Sequence, residues 1–512
     1  VSRRIAVLPV VVAHLVACRL VAAQASPYLP LDHPLLPLVE HLVARGELAD
    51  PSPLVRPFLR AELARLLDSV IAPAGSASGR AVAGLRERFR DRDDPNWFRV
   101  EPRGGVQAFS RARRDLLHPG GDGGARFYAE AAIEARIGSL VLVSRPIAEN
   151  RLKLDPDWAG GAIQRTKNQA YRFADAYLGA QLGRVRLFYG QMARNWGPAG
   201  APGIGLSSYG YPRSDVGLEL RLRDLQLDVV ATELTPMRAA GGVDHRRYLM
   251  AHRLAVRVAR SLHLAVWETA VLAGPDQSFE PYFRNPLVLL AFPAQFGLSD
   301  NRNTLVGGDL QWRLGRGLVW SAQAAVDDRW RRRDDPDGTG EAAHPGRWAF
   351  TLGGAGALGR SASWRATLAV VNSLAFRTSD STESLIDRGV GIGPHFTDNV
   401  MAAVSVSTPL ERGGHWLLSP DLAVLWQGEG RIDAPFPVDQ ALTDTPELFI
   451  GTVATTYRLG ATLSGGGAGV GIQATAGLHH TTNADQIRGR SRTRLEGRLL
   501  ATLGLAIGGA LR

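Results

Sequence analysis

Three stretches of this chain carry residue types suited to holding a polyhydroxylated ligand. The first is Arg194-Asn195-Trp196-Gly197-Pro198, with Tyr209 and Tyr211 following in the same connection. Sugars stack their C–H faces on aromatic rings, while Arg, Asn and Asp groups hydrogen-bond the hydroxyls. The second stretch, about 274–303, contains Tyr282, Phe283, Arg284, Asn285, Gln295, Asp300, Asn301, Arg302 and Asn303. The third is Asp327-Asp328 beside Arg329 and Trp330. Each has a plainer reading. Trp196 and the two tyrosines are also the types that anchor a barrel at a lipid interface. Paired carboxylates suit a divalent ion or acid–base work. Neighbours on one strand point to opposite faces, however, so only one of the two aspartates faces inward, and a salt-bridged pairing with arginines fits better.

Enzyme readings find little support. There is no Gly-x-Ser-x-Gly elbow, no HExxH and no P-loop. His479-His480 diverge along a strand and make no ligand set. A Ser–His hydrolase working from inside a barrel has no spacing signal. The expectation is a non-enzyme with no cofactor and no metal.

These residues need a scaffold, and the scaffold is a run of alternating strands. From Asp215 to Ala231, Val216, Leu218, Leu220 and Leu222 share one parity, while Asp215, Glu219, Arg221 and Arg223 take the other. Across Arg223-Asp224 the parity flips, and Leu225, Leu227 and Val229 continue the apolar face. A side-chain period of two keeps one face oily and one wet across a tight turn. Leu178 to Tyr189 repeats the pattern across Gly183-Arg184, as does Leu310 to Val326 across Gly315. Repeated with no helices to cover it, the oily face requires lipid. Short connections alternate strictly with long ones at about 111–124, 150–169, 192–214, 236–246, 274–303, 331–346, 377–394, 429–447 and 481–491. The expected fold is all-β, a transmembrane antiparallel barrel of about 18 strands over 96–512. Leu287-Val288-Leu289-Leu290 would be costly in water, so the 274–303 loop is expected to fold inward and plug the lumen.

Residues 26–95 read as a small periplasmic helical section. One helix opens at Asp32 and Pro34 and ends at Gly46, a second follows Arg56-Pro57, and a third covers roughly 79–92. Residues 1–25 read as an export signal ending Ala23-Gln24-Ala25, with Leu15-Val16-Ala17-Cys18 as a lipoprotein-type alternative. The mean hydropathy of −0.07 suits a soluble protein, yet alternating lipid and lumen residues average to the same value. One cysteine excludes a disulfide framework. The net charge of +10 is spread over turn tips and inward strand positions, a solvated pattern and not a nucleic-acid stripe.

Three segments in order resemble the Wzi-type capsule-assembly family of outer-membrane proteins. They are Arg56-Pro57-Phe58-Leu59-Arg60-Ala61-Glu62-Leu63-Ala64, then Tyr189 to Pro198, then Tyr282-Phe283-Arg284-Asn285-Pro286 with Asn301–Asp309 and Ala325-Val326-Asp327-Asp328. The resemblance implies an eighteen-stranded barrel with a periplasmic helical bundle. It also implies a lectin-like role, holding capsular or other exopolysaccharide at the cell surface. Candidate ligand residues are then Arg194, Asn195, Trp196, Tyr209, Tyr211, Tyr282, Arg284, Asn285, Asn301, Asn303, Asp327 and Trp330. Expected partners are surface polysaccharide, outer-membrane lipid and, during biogenesis, the barrel-assembly machinery. The alternative from another class is a porin-like diffusion channel.

Overall fold

The structure, a computed structural model, describes residues 24–73, 75–90, 94–158, 170–278, 302–315, 317–328, 346–410, 415–437, 444–467 and 469–511. The alternating sequence folds as expected. The strands are β1 (Asn96–Phe109), β2 (Gly124–Ile137), β3 (Leu140–Glu149), β4 (Tyr171–Leu182), β5 (Val185–Gln191), β6 (Ser214–Arg221), β7 (Leu225–Arg238), β8 (Asp244–Ala259) and β9 (Leu262–Gly274). There follow β10 (Arg302–Arg313), β11 (Leu318–Asp328), β12 (Arg347–Leu358) and β13 (Ala362–Val371). A two-stranded hairpin, β14 (Ile386–Asp387) and β15 (Val390–Gly391), interrupts the series. The wall resumes with β16 (Asn399–Pro409), β17 (Trp416–Gln427), β18 (Ala454–Gly467), β19 (Val470–Thr482) and β20 (Ser491–Gly504), which β21 (Ile507–Ala510) extends. All wall pairs are antiparallel, and β1 closes the circle by pairing β2 on one edge and β20 and β21 on the other. The result is a closed 18-strand barrel.

The outer face shows why the alternation exists. In the β6–β7 hairpin, Leu218 pairs Val229 and Leu220 pairs Leu227, all of one parity. Leu459, Val266, Leu495 and Leu503 are likewise outward, and Leu495 keeps 73% of its surface open. A water-soluble fold would bury such a belt; a bilayer covers it. Trp312 and Trp320, cross-strand partners, mark one edge of the belt near the short turns. Phe127, Tyr171, Tyr189 and Tyr457 mark the other edge near the long connections. Aromatic rings at both edges are what an interfacial girdle requires.

Among the described residues there are three α-helices, α1 (Leu36–Ala44), α2 (Arg60–Ser69) and α3 (Ala77–Phe89). They lie at the short-turn end. Leu38, Leu42, Phe58, Leu63, Leu67, Leu85 and Phe89 form a core with Leu417 of β17. Each such side chain removed from water contributes roughly 1.5–3 kcal/mol. Polar ties fix the bundle to the wall. Arg60 meets Glu134 at 2.6 Å, Arg221 meets Glu62 at 2.6 Å, and His41 Nδ1 and Ser363 Oγ share a hydrogen bond of 2.7 Å. Gly46 adopts φ +72°, and a Cβ there would lie 2.9 Å from the Gly317 backbone nitrogen in the β10–β11 turn. The chain can cross that turn closely only as glycine.

The lumen carries a second core. Trp196, Ile204 and Leu206 from the β5–β6 connection pack with Ala375, Phe376, Leu385, Ile386 and Ile392 from the β13–β16 connection. Both sets lie against the inward residues Val230, Leu249, Ala251, Trp267, Val271 and Leu305. Two long connections therefore turn inward and pack against the inner wall. The segment expected to do so, Leu287–Leu290, lies outside the described residues. The apolar run Leu374-Ala375-Phe376 with Leu385-Ile386 was an equally legible signal, since those side chains between strands need a core.

Candidate functional site

The loops at the long-connection rim meet in a stack of rings. Tyr209 lies on His395 with centroids 3.8 Å apart, His395 packs on Phe396 at 3.8 Å, and Phe396 stacks on His118 at 3.8 Å. These residues come from the β1–β2, β5–β6 and β13–β16 connections, so the stack ties three loops into one layer. Charged groups border it. His118 Nδ1 and Asp115 Oδ2 are 2.6 Å apart, Arg113 donates to Asp157 at 3.1 Å, and Asp157 also faces His395 Nε2 at 3.4 Å. Sequence reasoning missed His118, His395 and Phe396, which have no periodic signal and meet only through the barrel closure.

Burial raises the Asp115 carboxyl, but the charge and hydrogen bond of His118 outweigh that effect and hold it well below the usual carboxylate range. A depressed carboxyl stabilises the folded loop above its ordinary value of about 4 and loses that contribution as pH falls toward the folded value. Amide-exchange protection across 110–118 is therefore expected to persist from neutral pH to about 4 and to fall below it. Protection that stays unchanged well below a pH of about 4 would refute the Asp115–His118 latch.

Five of the twelve sequence candidates, Tyr282, Arg284, Asn285, Asn301 and Trp330, lie outside the described residues. The structure disperses the other seven. Arg194 donates to Asp215 at 2.7 Å and lies over the Phe188 ring at 4.2 Å. Asn195 donates to the Ala201 carbonyl at 3.0 Å and accepts from the Gly203 N–H at 2.7 Å, an internal brace for its own loop. Trp196, 3% exposed, sits in the lumen core and not at the lipid rim. Its carbonyl accepts from Gln323 at 2.8 Å, and Gln323 in turn donates to Asp309 at 2.7 Å.

Tyr211 stands edge-on to Trp158 at 4.8 Å and donates to Asp155 at 2.6 Å; burial pushes its phenol up to about 12. Asn303 is buried on β10. Asp327 Oδ2 accepts from the Phe376 N–H at 2.9 Å and lies 3.8 Å from Arg347, the arginine pairing that the sequence favoured. Only Tyr209 and Tyr211 belong to the loop layer with partly open surface.

A single carboxylate locks the outer loops. Asp398, at φ +58°, accepts N–H bonds from Phe449 at 2.6 Å, Gly430 at 2.9 Å and Ile450 at 3.0 Å. It thereby joins the end of the β13–β16 connection to the β17–β18 connection. Asp398→Asn keeps a residue that tolerates the left-handed backbone but replaces one acceptor oxygen with a donor. It is expected to weaken the junction by about 1.4 kcal/mol and to make 428–437 and 444–453 roughly tenfold more sensitive to protease. Unchanged cleavage would show that the loops hold without it.

No protein-family model matches the chain, and no curated protein matches it in sequence. Among solved structures, the fold matches Wzi of Escherichia coli, described as an outer-membrane protein involved in group 1 capsule assembly and as a carbohydrate-binding β-barrel. The TM-score is 0.62 at 14% identity, over 95% of this chain and 100% of that one. The outer-membrane protein OprD of Pseudomonas aeruginosa matches with TM-score 0.43 at 9% identity, over 81% of this chain and 94% of that one. The first match shares the fold that the sequence resemblance implied.

Proposed function

We propose that this chain is a non-enzymatic outer-membrane protein that binds polysaccharide at the cell surface and helps attach or assemble it there. The observation that carries the reading is the apolar core that two long connections build within the wall, beneath a tied loop layer. A channel keeps its loops clear of its path, whereas here the connections 192–213 and 372–398 build a core within the wall. A loop layer with rings and charged groups at its rim has the chemistry to meet a glycan. The fold shared with Wzi, a carbohydrate-binding barrel, agrees with this. The short turns and the helical section then face the periplasm and the long connections face outward.

In this reading Tyr209 and Tyr211 belong to the glycan-facing layer. Tyr282, Arg284, Asn285, Asn301 and Trp330 keep the contact role assigned to them from sequence. Arg194, Asn195, Trp196, Asn303 and Asp327 support that layer from below. The test is binding of the purified protein to the exopolysaccharide of its own source against an unrelated neutral polymer, together with a deletion strain. Glycan shed into the medium on deletion is the expected result; normal cell-attached glycan would sink the attachment role. In planar bilayers the protein should show no steady conductance, and large stable open steps would overturn the closed-lumen reading.

A further inference from the structure

One corner of the long-connection rim holds more positive charge than its free carboxylate balances. On β20 the outward parity carries Leu495 and Leu499, so Arg494, Glu496 and Arg498 point inward. Among the described residues Arg494 makes no hydrogen bond and no ion pair. Its charged neighbours include Arg492 and Arg111, of which Arg492 is already paired to Asp485 at 2.6 Å. Among the described residues Arg498 donates only to the Arg113 carbonyl and its Nε is buried without a partner; its charged neighbours include Arg151 and Arg114 beside Glu149 and Asp155. Arg114 is held by the Tyr209 carbonyl and the Tyr211 ring, 4.3 Å away, and Arg111 by the Gly121 carbonyl at 3.2 Å.

The nearby carboxylates are engaged elsewhere. Asp115 is bound to His118, Asp157 to Arg113, and Asp155 to Arg151 at 2.8 Å. Glu149 is paired to Arg151 at 2.8 Å and Arg172 at 3.1 Å. Glu496, between the two inward arginines, accepts from the neutral Ser110 hydroxyl at 2.5 Å and offsets at most one of the four guanidinium charges. Holding guanidinium groups together and partly out of water without counter-charges costs free energy, and a bound anion offsets it. The fork of an arginine suits a planar or tetrahedral acid group.

We propose that Arg111, Arg114, Arg494 and Arg498 form a subsite for acid groups, so that the glycan held at this rim is an anionic polysaccharide bearing carboxylates or phosphates. This rests on the polysaccharide-binding reading above. The inward orientation of Arg494 and Arg498 places the subsite inside the wall and away from lipid headgroups.

The experiment uses the full chain in detergent and the exopolysaccharide of its own source, native and after neutralisation. Uronic carboxyls are reduced with carbodiimide and borohydride in one sample, and phosphates are removed with hydrogen fluoride in another. Binding to the native polymer is expected to weaken steeply with salt and to fall about tenfold in Arg494→Ala and in Arg498→Ala. It should also be lost on one of the two neutralisations, which tells carboxylate from phosphate. Arg494 supports no neighbour, so its variant should keep heat-modifiable gel mobility and answers the question even where Arg498→Ala fails to fold. Native binding that survives both neutralisations, or is unchanged in Arg494→Ala, would overturn the anionic subsite alone. No binding of the native polymer by folded protein would overturn the polysaccharide reading and this inference with it.

Discussion

Arg56→Ala is expected to detach the N-terminal section from the barrel interior at a cost of about 3–5 kcal/mol, the usual penalty for stripping one partner from a buried ion network. Arg56 is buried, donating to Glu40 at 2.6 and 3.1 Å, to Asp50 at 3.2 Å, and to the carbonyls of Ser52 at 2.8 Å and Val55 at 3.0 Å. Its guanidinium also lies 4.0 Å over the Phe58 ring. Alanine would leave Glu40 and Asp50 facing each other with no cation between them. The backbone is involved too. Arg56 N–H donates to the Asn195 carbonyl at 2.9 Å, and Asn195 N–H returns a bond to Arg56 at 3.0 Å.

That two-way bridge is where the helical section from one end of the barrel meets a loop from the other. The measurement is proteolysis and amide exchange across 46–59, with heat-modifiable mobility as the check on the barrel itself. Exposure of 46–59 with the wall intact is the expected outcome. Arg56→Lys should recover part of the stability, because one ammonium cannot serve two carboxylates and two carbonyls in a fixed fork. Wild-type protection in Arg56→Ala would show that the apolar core around Leu42 and Phe58 holds the section alone.

The strands were legible because lipid on one side and lumen on the other impose a period of two that local sequence reveals directly. The hairpin Asp215–Ala231 shows this, with its wall pairing falling in the register that the parity flip requires. The alternation of short and long connections held except at one place, where the expected long connection came out no longer than the short one between β16 and β17. The 236–246 connection shrank to five residues as β7 and β8 extended past it. Helices at 36–44, 60–69 and 77–89 fell near their expected places because their apolar faces repeat with helical spacing.

Tertiary partnerships inside the lumen were not legible. His41 meets Ser363, Arg145 meets Asp32 at 2.8 Å and Asp175 at 2.8 Å, and His118 meets Phe396. Such pairs depend on closure of the ring and on loops that turn inward, and neither leaves a periodic mark. Residue type alone therefore nominated Trp196 and Asn195 as ligand groups. Their neighbours make one a core residue and the other a brace.

Trp196→Ala separates those two readings. The indole packs among Ile204, Leu206 and Trp267, at the junction of both inserted connections with the inner wall. Truncation leaves a cavity where several elements converge, and a buried tryptophan replaced by alanine costs about 3–5 kcal/mol. The expected result is a marked fall in the temperature at which the folded gel band converts to the unfolded one. Affinity for glycan of the fraction that remains folded should change by less than about twofold. Trp196→Phe should recover most of the thermal loss, since a smaller ring still fills part of the space. A variant that melts like the wild type yet loses glycan binding would return Trp196 to the ligand surface. It would also mean that the loop 192–213 swings out of the lumen to meet the polymer, and the core within the wall would then be one of two states of the same loop.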